Sequence, residues 1–400
     1  MSTVIPPIQG DCAPRFAALR QAFAANFAAG LEVGAAVAVT VDGAPVADLW
    51  AGHADADRTR PWRRDTLVNV YSTTKGLGAA CAHLLVHRGA LDLDAPVTRY
   101  WPEYGQHGKA GTPVRWLLSH RCAVPAVAEK LPPDAKYDWD RMTAALAAQA
   151  PWWEPGTAHG YHAFTYSFTV GEIVRRAAGR SIGAFFRDEI ARPLGLETHI
   201  GVPETLDGRI ADFLPSPPAA PGKVDHLATL LADHASMPYK AFNNPPFLRN
   251  EVNSRAWRAA EFAAANGHTT ARSLAAFYGM LANGGAWNGT RVLAPATIEA
   301  ARVEQSAGMD RVLQQENRFA LGFMLPSAMR GISDNPRAFG HAGMGGSLGF
   351  ADPEARMSFA YVMNQSQVGD PGGDLRWRGL IGAVYAALGR PYTAPGGTAA

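Results

Sequence analysis

Ser72 and Lys75 stand three residues apart in "LVNVYSTTKGLGAACAHLLVHRG" (67–89), where an apolar run gives way to a helical pattern. Leu77, Ala80, Cys81, Leu84 and Leu85 recur at helical spacing, which predicts a helix from near Ser72 to Gly89. Side chains three apart share a helix face, so Lys75 can lean back toward the Ser72 hydroxyl. A serine needs an adjacent base to act as a nucleophile. A lysine supplies one only where burial or a neighbouring cation lowers its pKa. Gly76, Gly78, Ala79 and Ala80 leave room for such a helix to sit deep. Its N-terminus would add positive potential near a developing oxyanion. A plainer reading exists, because Ser and Thr are also favoured N-caps and S-x-x-K arises by chance. The pair therefore needs support from elsewhere in the chain.

Two segments give it. "PGTAHGYHAFTYSFTVGEIVRRAAG" places Tyr161 ahead of a helix, and a phenol beside an ammonium can serve as general base. Tyr166 is a second phenol open to that role, and His159 and His162 flank the first. "FGHAGMGGSLGF" carries His341, Ala342 and Gly343 on a strand that could offer a backbone N–H to an oxyanion. Its glycines would let a substrate approach closely. The same strand contains G-x-S-x-G around Ser347, the pattern of a nucleophile elbow. An elbow requires a helix after the serine and a histidine further on. Here another strand-like run follows, and no histidine occurs after His341. Ser347 is therefore not expected to be the nucleophile.

His83 and His87 are four apart on one helix, yet no third ligand accompanies them, and both are expected to face solvent or loop. No metal is expected, and no nucleotide-binding glycine pattern implies a cofactor. Cys12, Cys81 and Cys122 are too few and too scattered for a disulfide framework, with Cys81 read as a small core residue. The net charge of +2 and the single basic run "RTRPWRR", diluted by acidic neighbours, argue against a nucleic-acid partner. No long apolar segment suggests a membrane span, and the N-terminus lacks a signal-peptide pattern, so a cytoplasmic protein is expected.

These residues must be positioned by a chain of 400 residues, enough for two lobes. Near the start, two β-prone runs flank Asp42-Gly43, a hairpin signal. Near the end, "DPEAR" separates two more such runs before a helix, "DLRWRGLIGAVYAALG". The middle is rich in Ala and Leu at helical spacing, broken by Pro/Gly loops. The prediction is an α+β fold: an α/β lobe from 1–66 and 290–400, with an antiparallel sheet flanked by N- and C-terminal helices. A mainly helical lobe, 67–289, is inserted, with the active site between the lobes. A long irregular loop is expected over about 212–256.

Taken together, "TLVNVYSTTKGLGAACAHLLVHRG", "VRWLLSHRCAVPA", "EPGTAHGY", "GHTTARSLAAFYGMLANGG" and "FGHAGMGGSLGFADPE" resemble, in that order, segments of the serine hydrolases related to class C β-lactamases and penicillin-binding proteins. Within that group the chain is most similar to the family VIII carboxylesterases, over roughly 15–390. The resemblance implies a β-lactamase-like fold with Ser72 as the acylated nucleophile. It implies that Lys75 and Tyr161 share acid–base work, and that the N–H groups of Ser72 and Met344 form the oxyanion hole. His341, Gly343, Trp153 and His162 are the expected substrate-contacting residues.

Two departures from the β-lactamase pattern bear on substrate. Tyr161-His162-Ala163 puts Ala where Tyr-x-Asn has its amide, and His341-Ala342-Gly343 replaces Lys-Thr-Gly. Both favour a small neutral ester over an anionic β-lactam. Trp152, Trp153, Phe242, Phe247 and Trp257 are candidates for an apolar pocket wall. The alternatives are a β-lactamase, DD-peptidase or amide hydrolase, an acyltransferase using the same intermediate, and a non-catalytic binding scaffold.

Overall fold

In the computed structural model, residues 5–217, 226–248, 250–327, 331–367 and 374–393 are described. Their organising element is one antiparallel sheet of six strands drawn from the two ends of the chain. The strands are β1 (Gln9–Cys12), β2 (Gly34–Val41), β3 (Ala44–Gly52), β4 (Phe339–Ala342), β5 (Leu348–Asp352) and β6 (Met357–Met363). Their spatial order is β1-β3-β2-β6-β5-β4, so the first and last strand groups meet at β2 and β6.

Local chemistry fixes both tight turns. Asp42 and Gly43 both take positive φ, 51° and 76°, as a two-residue hairpin requires. At the other turn, the Asp352 carboxylate accepts from the N–H groups of Glu354 and Ala355 at 3.1 and 2.9 Å.

Four helices matter most for the site: α1 (Ala17–Ala28), α2 (Thr74–His87), α3 (Ala271–Ala282) and α4 (Leu375–Leu388). The sheet is covered on both faces, so its central strands are buried throughout rather than alternating with polar residues. One face carries the large side chains Val37, Val39, Phe359 and Tyr361, packed with Phe23 and Phe27 of α1 and Leu380 and Val384 of α4. The other face carries Ala36, Ala38 and Ala360 with Leu274, Phe277 and Tyr278 of α3. Small residues on that side let α3 approach closely, and Ser358 Oγ donates to Ala275 O at 2.7 Å. The second cover thus comes from within the segment read as the helical lobe, whose Ala-rich pattern does not reveal which surface it meets.

α2 is buried all round from Thr74 to Leu85. A Cβ on Gly76 would come within 2.5 Å of the Tyr278 hydroxyl, so this depth depends on small residues. His83, expected outside, is buried, with Nε2 at 2.8 Å from Leu321 O; His87 is exposed. Burial holds the His83 imidazole down at about 4, in the neutral form. The expected loop 212–256 contains two short α-helices, His226–Leu230 and Met237–Asn243, and a 3-10 helix, Glu251–Asn253; residues 218–225 and 249 lie outside the described residues. Among the described residues no helix is long and apolar enough to cross a membrane.

Candidate active site

The Ser72 turn is pinned by a small sheet. Val68–Asn69 pairs with Gly267–Thr269, which pairs in turn with Thr198–Ile200. The chain then bends sharply: Tyr71 has φ 42°, unusual for a bulky residue, and the Thr74 hydroxyl donates to Tyr71 O at 2.5 Å. Ser72 does not cap α2. The N-cap is Thr73, with no side-chain cap bond, and Ser72 Oγ instead lies 3.2 Å from Lys75 Nζ.

Lys75 is fully buried and holds two further contacts, Ala163 O at 2.9 Å and Ala264 O at 3.2 Å. Burial pushes its amine well below the ordinary lysine range. A neutral amine has two N–H donors and one lone pair. A neutral Lys75 would give those donors to the two carbonyls, which can only accept, and would keep its lone pair for the Ser72 O–H. The Tyr161 ring lies 4.6 Å from Nζ and the Tyr166 ring 5.6 Å.

The two phenols differ in setting. Tyr161 sits on a loop fastened from both sides: its N–H donates to Asp310 Oδ1 at 3.0 Å, while Gly160 N–H donates to His120 O at 3.1 Å and His162 N–H to His120 Nδ1 at 3.2 Å. Tyr166 begins the next helix, fully buried, and its hydroxyl reaches Lys75 O at 3.5 Å behind α2. Burial raises its pKa far above the usual value.

β4 runs along the opposite side. A Cβ on Gly343 would lie 2.2 Å from Val70 O, so strand and Ser72 turn touch backbone to backbone. His341 is buried on β4, with Nδ1 at 2.7 Å from Ala342 O and its ring 6.2 Å from that of Tyr161. Met344 follows, exposed, in a turn whose next residues, Gly345 to Ser347, are buried. Among the described residues, neither the Ser72 nor the Met344 N–H donates to another backbone group. Ser347 is buried; its hydroxyl donates to Val70 O at 2.7 Å and lies 3.0 Å from Thr73 Oγ1.

His162, one of the expected substrate contacts, is enclosed by the protein. The His162 ring is fully buried, with Nδ1 at 2.7 Å from Gly160 O and Nε2 accepting from Val124 N–H at 3.2 Å beside Cys122 Sγ. Both ring nitrogens have partners within the protein. Trp153 packs against Gly160 of that loop and donates to Ala158 O at 3.2 Å.

The aromatic candidates divide. Phe247 meets Trp257 edge-on at 5.6 Å, and Trp257 lies 6.3 Å from Tyr71, beside the Ser72 turn. Trp152 donates to Ala126 O on the other side, and Phe242 is half-buried. Sequence reasoning missed Ala264, His120 and Asp310. The first contributes only a carbonyl, which no side-chain pattern reports. His120 stood in a quoted motif without an assigned role, and Asp310 lies far along the chain from the loop it holds. Among the described residues no group of three or more His, Cys, Asp or Glu is arranged to hold a metal.

Comparison with known proteins identifies the family. The Beta-lactamase family model matches residues 23–383. The esterase/β-lactamase LipL of Mycobacterium tuberculosis is 35% identical over 361 residues, covering 89% of this chain and 82% of LipL. A family VIII carboxylesterase crystal structure superposes with a TM-score of 0.88 at 42% identity, covering 95% of this chain and 100% of that one. A penicillin-binding-protein homologue from Caulobacter crescentus gives a TM-score of 0.87 at 40% identity, with the same coverage.

Proposed function

Because this chain belongs to the β-lactamase family, we propose that it is a serine carboxylesterase that hydrolyses small, neutral, short-chain esters through an acyl-enzyme on Ser72. The observation that carries this reading is the buried amine of Lys75, held by the Ala163 and Ala264 carbonyls with Ser72 Oγ at 3.2 Å. With the amine neutral, its two N–H groups go to the carbonyls and its lone pair to the Ser72 O–H.

In the first half-reaction Lys75 takes the Ser72 proton as Oγ bonds to the ester carbonyl carbon. The carbonyl π electrons move onto oxygen, where the Ser72 and Met344 N–H groups receive them. The intermediate collapses, the ester C–O bond breaks, and the alkoxide leaves as alcohol with a proton relayed from Lys75 through Tyr161. Water then attacks the acyl-enzyme and gives its proton to the same relay. The second collapse frees the acid and returns a proton to Ser72 Oγ.

Two features support a neutral substrate: Ala163 leaves no side-chain amide at its position, and His341 replaces a permanently charged lysine. Half-buried Tyr71, next to Ser72 and backed by the buried Trp257, suits a short apolar acyl group. The test is turnover of p-nitrophenyl acetate and butyrate against a β-lactam such as nitrocefin. A preference for the esters that disappears in Ser72→Ala supports the reading; equal or faster β-lactam turnover contradicts it.

A further inference from the structure

We propose that Arg376 is a positioning residue for the oxyanion hole, holding the Gly343–Ser347 turn so that the Met344 N–H faces Ser72. The inference rests on the reading of Met344 as an oxyanion donor. Gly346 N–H donates to Gly343 O at 3.2 Å, closing a β-turn with Met344 and Gly345 at its centre. Gly345 supplies the positive φ, 85°, that such a turn needs at its third residue. The Met344 N–H is not part of the turn's own bond.

A turn of three glycines has little stiffness of its own. It is held from two sides. On one side Ser347 Oγ donates to Val70 O at 2.7 Å, and Gly343 N–H to Ser347 O at 2.8 Å. On the other, the head of α4 reaches the next two carbonyls. Arg376 Nη2 donates to Gly345 O at 2.5 Å, and Trp377 Nε1 to Gly346 O at 2.6 Å. A Cβ on Gly346 would lie 2.0 Å from Arg376 Nη2, so this backbone rests directly on the guanidinium.

The guanidinium is itself over-determined. It is 1% exposed and bonds Asp374 Oδ1 and Oδ2 at 3.0 and 2.6 Å, Gln365 O at 2.8 Å and Glu32 Oε2 at 3.2 Å. Tyr361 of β6 donates to the other Glu32 oxygen. A buried ionic cluster of this kind is a poor source of stability, because apolar side chains of equal volume serve as well. Apolar groups cannot, however, hold a carbonyl at hydrogen-bond distance from a fixed planar fork. The cluster thus fixes the carbonyl of Gly345, the residue directly after Met344.

The test compares wild type with Arg376→Lys and Trp377→Phe by stopped-flow acylation with p-nitrophenyl acetate. It also measures binding of a short alkyl boronic acid, which forms a tetrahedral oxyanion adduct. Arg376→Lys is expected to lower kcat and boronate affinity together by about 10- to 100-fold with KM within about threefold, since removing an oxyanion donor outright costs more. Trp377→Phe, which removes one hydrogen bond and no charge, shifts both in the same direction by a smaller factor. It carries the test alone if Arg376→Lys does not fold. A purely structural role would lower melting temperature while leaving kcat per titrated active site and boronate affinity at wild-type values; that result overturns the inference. Wild-type protein that is never acylated at Ser72 overturns the functional reading instead, so the two failures are distinguishable.

Discussion

The Ser347 hydroxyl donates to the Val70 carbonyl at 2.7 Å, fastening the β4–β5 turn to the backbone two residues before Ser72. The serine that matches an elbow motif is thus a buried latch on the turn of another serine. Ser347→Ala leaves one carbonyl and the Thr73 hydroxyl with fewer partners, at a cost of about 1–2 kcal/mol in denaturant unfolding. Esterase turnover should persist at a reduced rate, with the inhibitor adduct still on Ser72. Complete loss of turnover in a folded Ser347→Ala protein would point to a direct role.

Lys75 is expected to show opposite effects on activity and stability. Lys75→Met should lower kcat by about 10²- to 10⁴-fold, the range for loss of a general base. Its denaturant midpoint should not fall below wild type. The folded pKa is depressed below 10.5 by burial, so between those values the unfolded chain binds more protons. The wild-type lysine therefore costs stability at neutral pH, and that cost fades as pH rises through 10.5. In activity the sign is matched: turnover is lost as pH falls through the depressed Lys75 value and is kept on the alkaline side.

The two phenols separate by substitution. Tyr161→Phe removes the proposed relay and should lower kcat by about 10²-fold or more. Tyr166→Phe removes a long hydrogen bond to Lys75 O and should leave kcat near wild type, with a stability loss of about 1 kcal/mol. The reverse ranking in kcat would move the acid–base role to Tyr166.

Much of this site was legible because its parts are local. Ser72 and Lys75 share one helical turn, and Asp42-Gly43 fixes its own hairpin whatever lies around it. What failed was non-local. His83 reads as a surface histidine until Leu321 and Phe323, more than 230 residues later, close over it. β1 has only four residues, and it is a strand because β3 offers an edge to pair with. Arg376 lies in "DLRWRG", which reads as the start of an ordinary amphipathic helix; its burial against Glu32 is set by how α4 crosses the sheet. His162 follows Tyr161 in sequence, but its bonds to Gly160 O and Val124 N–H are not announced by any pattern.

Burial raises the Glu32 carboxyl to about 7 in spite of Arg376, with Asp374 and Tyr361 completing its surroundings. A raised folded pKa means that the native state holds the proton between 4.5 and about 7. Its stabilising contribution is fully present below 4.5 and is lost as pH rises through about 7. Glu32→Gln should flatten that part of the profile, so that the wild-type minus variant difference in unfolding free energy changes by on the order of 3 kcal/mol between pH 4.5 and 8. Urea midpoints at four or five pH values would measure it, and parallel profiles would contradict the assignment.

The central claim is that the Ser72 hydroxyl, activated by Lys75, is acylated. Intact mass after brief mixing with a short-chain p-nitrophenyl phosphonate, followed by peptide mapping, tests it most directly. The account predicts one adduct per chain, on the peptide containing Ser72, formed far more slowly in Lys75→Met. An adduct confined to any other residue, or an unmodified Ser72 in protein that still turns over ester, would contradict it.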